Sequence, residues 1–279
     1  MPKRKEEPQD YLVRWGAKAV PFSDATGLTI FSTPDNEQAL VLLDETAALR
    51  ATMVLYGDNG VGKSLLIRSW LSTLEPKRYR PVVITQATLT GTGLLASLLL
   101  KLGCPVGHMR SRNLATLEGA IVQLERQILV LVLDEAQLYT HDALEEIRLL
   151  LGLSLPAQPI CALILVGDNY ILDTLRLQSR KALYSRIATS FQLLALDPSR
   201  VEKYVAQQLA DVGIHRPCFE EPALQMLIAT GDGIPRTLNL VARAAWIEAS
   251  RSSSDSITPD HVRAAIRRVP GARDKLEAR

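Results

Sequence analysis

A parallel α/β domain followed by an all-helical one is the architecture that this 279-residue sequence predicts. Three observations carry that reading. A glycine-rich stretch, Gly57-Asp58-Asn59-Gly60-Val61-Gly62-Lys63-Ser64, lies between an apolar run at 52–56 and a helical stretch beginning near Leu65. Five apolar runs of strand length alternate with helical segments, the pattern of a parallel sheet with right-handed crossovers. Beyond Leu196-Asp197-Pro198-Ser199 every segment reads as helix. We therefore place a tail at 1–10, an α/β domain over 11–196, a helical lid over 197–270 and a C-terminal tail at 271–279.

The elements follow in order. Residues 1–10 are polar and Pro-bearing, and Lys3-Arg4-Lys5 reads first as a short solvated basic tail. The aromatics Tyr11, Trp15, Phe22 and Phe31 stand among Gly and Pro, which predicts a loop segment packed on the domain. Pro34 and Asp35 mark the start of a helix over 35–50. Strand 52–56 leads through the glycine loop into a helix that starts near Lys63. Pro81-Val82-Val83-Ile84-Thr85-Gln86 reads as a second strand, and helices follow at 91–102 and 113–126. The run Ile128-Leu129-Val130-Leu131-Val132-Leu133 is continuous, as expected of a strand buried on both faces. A helix at 141–151, a loop at 156–159, a fourth strand at 160–166, a helix at 169–184 and a fifth strand at 189–194 complete the α/β part. Lid helices are expected at 199–212, 220–230, 235–250 and 258–268, with starts signalled by Pro198, Pro222 and Pro259.

Composition bounds the partners. Apolar residues make up 47% and charged residues 22%, with a net charge of +2, so any nucleic-acid contact must come from a local basic patch. Cys104, Cys161 and Cys218 lie far apart with no metal or redox spacing and read as reduced thiols of a cytoplasmic protein. The basic start has no apolar segment behind it, and no apolar run approaches the ~18 residues of a membrane span.

The glycine loop implies a nucleoside triphosphate. Glycines at 57, 60 and 62 let successive N–H groups turn toward phosphate oxygens, and the helix start adds its dipole and unpaired donors. The binding stretch runs from Gly57 through Asp58, Asn59, Gly60, Val61 and Gly62 to Lys63, Ser64 and Leu65. Lys63 would reach the β and γ phosphates, and the Ser64 hydroxyl would ligate Mg²⁺. At the end of the third strand, Asp134 would hold Mg²⁺ through water and Glu135 would orient and polarise the attacking water. Gly167-Asp168-Asn169 ends the fourth strand; a polar side chain there, Asn169 by preference, can reach the γ phosphate or that water, and the alternative is a plain turn and helix cap. Arg176, Arg180 and Arg186 compete to reach a neighbouring subunit's γ phosphate. Arg236, in the first turn of a lid helix, is unfavourable against the dipole and is a candidate for the γ phosphate.

Together these stretches resemble an AAA+ ATPase: Walker A at 57–64, Walker B at 129–135 and a sensor-two-like Gly233-Ile234-Pro235-Arg236. More narrowly, Val20-Pro21-Phe22, Asp134-Glu135-Ala136-Gln137, Leu165-Val166-Gly167 and the lid motif are similar to the ExeA/GspA-like and TniB/TnsC-like branch, over about residues 11–268. Asp168 stands where the secretion branch usually has Gln. The resemblance implies a five-stranded sheet of order 5-1-4-3-2, a helical lid, and ATP with Mg²⁺ bound between subunits of a homo-oligomer. It also makes Arg186, acting in trans, the choice of finger. Relatives of the transposition kind (TnsC, TniB, Mu B-type) assemble on double-stranded DNA and serve a transposase, with or without a targeting protein. Secretion-type relatives normally continue into a membrane span and a peptidoglycan-binding domain, and the chain ends at Arg279 with neither. We therefore expect a transposition regulator that contacts the DNA backbone without reading sequence, through Lys101, Arg110 and Arg112. The alternatives are an envelope ATPase of the ExeA/GspA kind and a signalling NTPase acting on proteins without DNA.

Overall fold

A computed structural model describes residues 8–23, 29–86, 90–124, 127–152, 154–155 and 158–272. The basic cluster at 3–5, most of both expected tails and part of the 156–159 loop lie outside the described residues. Contacts divide the chain into two units. One holds the N-terminal segment to Phe31, Gly60–Gly62 and the chain from Ala195 onward; the other holds Ser32–Asn59 and Lys63–Leu194.

The helices are α1 (Pro8–Trp15), α2 (Pro34–Leu49), α3 (Lys63–Thr73), α4 (Gly91–Leu102), α5 (Arg110–Gln123), α6 (His141–Leu150), α7 (Ile171–Arg176) and α8 (Lys181–Tyr184), then α9 (Pro198–Ala210), α10 (Glu221–Gly231), α11 (Pro235–Arg251) and α12 (Pro259–Arg268). In the α/β unit, strands β1 (Thr52–Tyr56), β2 (Tyr79–Ile84), β3 (Ile128–Leu133), β4 (Cys161–Gly167) and β5 (Thr189–Gln192) form one parallel sheet of order β2-β3-β4-β1-β5. That is the expected 5-1-4-3-2 order. β3 and β4 are buried throughout, whereas β5 alternates, as an edge strand should. Pro81 is tolerated because β2 is the other edge. Local chemistry sets the helix starts. The Thr33 hydroxyl accepts from the Asn36 N–H (3.1 Å), Thr90 caps α4 through the Gly93 N–H (3.2 Å), and Thr140 caps α6 through the Ala143 N–H (3.2 Å). Because all five strands run parallel, their C-terminal ends, and the loops that follow, share one edge of the sheet.

Two expectations are corrected in this unit. The single helix at 169–184 is broken: Leu177 takes an extended ψ of 143° between α7 and α8, with a 3₁₀ turn over Gln178–Arg180. Leu175 in α7 and Leu183 in α8 are both in the core, so each of the two short segments is anchored by its own buried leucine, while Leu177 between them is exposed. α5 begins at Arg110 rather than 113, and no side chain caps it at Met109. Asn113 instead folds back on Gly107, accepting its N–H (2.7 Å) and donating to its carbonyl (3.1 Å).

The helical unit gathers α9–α12 around Trp246, Val241, Ala245 and Val262. Asp197 caps α9 through the Ser199 N–H (2.8 Å), and Thr258 with His261 forms a reciprocal cap on α12. The N-terminal segment belongs here, and its start is helical (α1) rather than a loop on the α/β domain. The reason is aromatic packing. Trp15 lies 6.1 Å from Trp246 and donates its indole N–H to the Ser250 hydroxyl (2.8 Å); Phe22 meets Phe219 edge-on; Phe31 meets Tyr204. All three cysteines are free thiols, and burial pushes the Cys161 thiol up to about 12. No described helix is long and apolar enough to cross a membrane.

Candidate active site

The loop after β1 must turn sharply against β5. A Cβ at residue 57 would come 2.2 Å from the Leu193 carbonyl oxygen, so only glycine lets the loop leave the strand here. Lys63, first residue of α3, bends back over the loop. Its ammonium donates to the Gly57 carbonyl at 2.8 Å and the Asp58 carbonyl at 3.0 Å. The side chain is 9% exposed, and burial lowers its pKa against the opposing pull of Glu135, Asp134, Asp168 and Asp58. A desolvated cation held by backbone carbonyls gains strongly from an anion, and phosphate oxygens are the anion that such a loop accommodates.

The neighbouring acid comes from β3, which is separated from β1 by β4. Tyr56 pairs with Gly167 and Leu133 with Leu165, so the two strand ends are nearly level. The Ser64 hydroxyl donates to Asp134 Oδ2 at 3.0 Å, while Asp134 Oδ1 accepts the Glu135 N–H at 3.0 Å. A hydroxyl and a carboxylate oxygen thus converge beside the buried lysine. No described group of three or more His, Cys, Asp or Glu side chains could hold a metal by itself. A hydroxyl with one carboxylate nevertheless fits Mg²⁺, which keeps waters and takes phosphate oxygens.

Glu135 occupies the left-handed region (φ 53°), costing about 1 kcal/mol or more for a residue with a Cβ. That twist ends the strand, starts the short 3₁₀ turn Ala136–Leu138, and leaves the carboxylate exposed. Its Oε2 accepts from the Gln137 amide Nε2 at 2.8 Å. After β4, Asp168 and Asn169 divide the work between them. Asp168 Oδ1 accepts the Tyr170 N–H (2.9 Å), a turn cap, whereas Asn169 Nδ2 donates to Asp58 Oδ1 of the loop (2.6 Å) and its Oδ1 accepts from Gln192 (3.3 Å). The structure therefore brings Gly57, Asp58, Lys63, Ser64, Asp134, Glu135 and Asn169 together.

The arginine candidates make contacts of their own. Arg186 is exposed and donates to the Arg148 carbonyl at the end of α6 (2.7 Å). Arg176 pairs with Asp173 and lies over the Tyr184 ring, and Arg180 donates to the Thr174 carbonyl with its Nε buried. In the helical unit, the Arg236 N–H donates to the Gly60 carbonyl at 3.2 Å, and a Cβ at residue 60 would meet Arg236 Cβ at 2.8 Å. Asn59 lies in the loop, Leu65 in the first turn of α3, and Val61 is buried.

Among the basic candidates, Lys101 is exposed in the last turn of α4 and Arg112 in the first turn of α5. Arg110 is engaged: its guanidinium grips Glu146 through two bonds of 3.0 and 3.1 Å, and the Glu146 side chain is 6% exposed. Sequence reading missed both Glu146 and Gln137 as partners. Arg110→Ala leaves a buried carboxylate unpaired and is expected to cost about 2 kcal/mol, while Arg112→Ala changes stability by less than about 0.5 kcal/mol. Denaturant midpoints of the two variants check this.

The comparisons with known proteins fit this geometry. Residues 46–175 match the family described as AAA domain. The chain is 30% identical over 233 residues to the general secretion pathway protein A of Aeromonas hydrophila, covering 80% of this chain but 41% of that protein. It is similar in structure to Cdc6p from Pyrobaculum aerophilum (TM-score 0.71, 23% identity, 89% of this chain and 70% of that one). It is also similar to the Aeropyrum pernix ORC1 protein, solved in complex with DNA (TM-score 0.65, 17% identity, 90% and 68%). The fold is that of the AAA+ P-loop ATPases.

Proposed function

We propose that this chain binds ATP with Mg²⁺ and hydrolyses it, and that it does so as a homo-oligomer on double-stranded DNA, regulating transposition from the cytoplasm. The observation that carries the enzymatic part is the convergence of Lys63, Ser64 and Asp134, with the exposed carboxylate of Glu135 beside them. Ser64 and Asp134 would hold Mg²⁺, which supplies charge neutralisation at the β and γ phosphates. Lys63 exchanges its two carbonyl bonds for phosphate oxygens. Glu135 takes a proton from the attacking water as the water oxygen bonds to the γ phosphorus and the bond to the ADP oxygen breaks. Asn169, tied to Asp58, holds the edge of the loop where the γ phosphate would lie. Arg186 from a neighbouring subunit and Arg236 from the lid are assigned to the charge that develops there.

For DNA, exposed Lys101 and Arg112 suit backbone contacts repeated from subunit to subunit, and Arg110 contributes by fixing the start of α5 on α6. A transposase, with or without a targeting protein, is the partner this reading calls for. A second reading, an ATPase of a secretion or envelope system, is favoured by the 30% identity to general secretion pathway protein A. Electron microscopy of the purified protein with double-stranded DNA, under a slowly hydrolysed ATP analogue and under ADP, separates them. Rings or filaments on DNA that need the triphosphate support the transposition reading. Failure to associate with DNA at low salt under either nucleotide overturns it in favour of the second.

A further inference from the structure

The side chain of Gln137 lies between two parts of the site that the chain itself keeps apart. Its amide Nε2 donates to Glu135 Oε2 at 2.8 Å, and its Oε1 accepts the Asp168 N–H at 3.2 Å. Only one orientation of the amide satisfies both neighbours, because the carboxylate needs a donor and the N–H needs an acceptor. Gly167 makes room for this: a Cβ there would lie 3.0 Å from Gln137 Oε1 and 2.6 Å from Ile171 Cδ1. One residue further on, Asn169 bonds to Asp58 of the phosphate loop. The Gln137 amide thus links the end of β3 to the end of β4, and the Asn169 amide links the end of β4 to the loop after β1.

We infer that Gln137 is the positioning residue for Glu135, holding one carboxylate oxygen so that the other faces the attacking water, and registering it against the tip of β4. The inference rests on the ATPase reading above. Glu135 is exposed, and its side chain has three rotatable bonds; without an anchor it would sample several rotamers, few of them productive. Gln137 supplies that anchor from a short 3₁₀ turn whose neighbours Ala136 and Tyr139 are buried at 2% exposure. The bond to Glu135 also offsets the strained backbone at residue 135.

Two substitutions separate the halves of the amide. Gln137→Leu keeps the bulk and removes both bonds. Gln137→Glu keeps an acceptor for the Asp168 N–H but sets a second carboxylate against Glu135. Steady-state hydrolysis, nucleotide affinity and thermal unfolding are measured on the full chain, wild type and variants in parallel. We expect kcat to fall about tenfold to a hundredfold in Gln137→Leu and at least as far in Gln137→Glu, with nucleotide Kd within about twofold of wild type. In a Glu135→Gln background, Gln137→Leu should add nothing to the loss of single-turnover rate, because residues acting as a unit are not additive. A merely structural glutamine would lower Tm and weaken nucleotide binding, and its effect would persist in that background. Wild-type turnover with an unchanged kcat in both variants, or additive losses in the double variant, overturns the role of Gln137 alone. A wild type that binds ATP but never turns it over, with or without DNA, overturns the ATPase reading and this role with it.

Discussion

Glu135→Gln is expected to leave nucleotide binding intact while turnover falls by roughly a hundredfold to ten-thousandfold. The amide has the shape of the carboxylate, and the left-handed backbone at 135 is carried by the main chain, so the variant has no new strain to accommodate. The contacts that hold phosphate and cation are untouched: Lys63 on the loop carbonyls and Ser64 on Asp134 depend on neither oxygen of Glu135. What disappears is the capacity to accept a proton from water. Binding of a fluorescent nucleotide and release of phosphate, measured on the same preparation, test both halves. Turnover within a few-fold of wild type would remove Glu135 from the mechanism. Loss of binding would instead make it part of the nucleotide cradle.

Much of this site could be read from residues, for a physical reason. β3 announces itself because a strand buried on both faces has no polar position to spare, and the acids must come where that run stops. The glycine loop is readable because its backbone path excludes a Cβ at Gly57. Both signals are local. Tertiary choices left no such mark. The aromatics between Tyr11 and Phe31 signal burial but not against what; Trp15 reaching Ser250 joins positions 235 residues apart. The break at Leu177 has no Gly or Pro to declare it, and the apolar spacing of Leu175 and Leu183 suits an unbroken helix equally well. Arg110 reads as a surface cation until Glu146 is found beneath it, and Gln137 reads as a polar neighbour of the acids until its amide is seen spanning two strand ends. A polar side chain's partner is a property of the fold, so function carried by such pairs is invisible until the fold is in hand.

The second large effect concerns Arg186. Of the three arginines around α7 and α8, Arg176 is engaged by Asp173 and the Tyr184 ring, and Arg180 is partly buried against the Thr174 carbonyl. Arg186 is exposed, anchored by one bond to the Arg148 carbonyl at the C-terminal end of α6, where the helix dipole favours a cation. That leaves further guanidinium donors for a neighbouring subunit. If Arg186 serves the neighbour's γ phosphate, Arg186→Ala subunits alone should lose about a thousandfold in kcat, with nucleotide affinity retained. Lys63→Ala subunits alone should also be inactive. Mixed in equal amounts, one interface in four would pair an intact Lys63 with an intact Arg186, so activity should return to about a quarter of wild type in a head-to-tail assembly. An arginine acting within its own subunit predicts no such recovery, since neither kind of subunit then holds a complete site. An arginine that only caps α6 predicts a lowered Tm and no thousandfold loss. The mixing curve therefore distinguishes a composite site from a self-contained one, and with it an obligate assembly from a chain that could work alone.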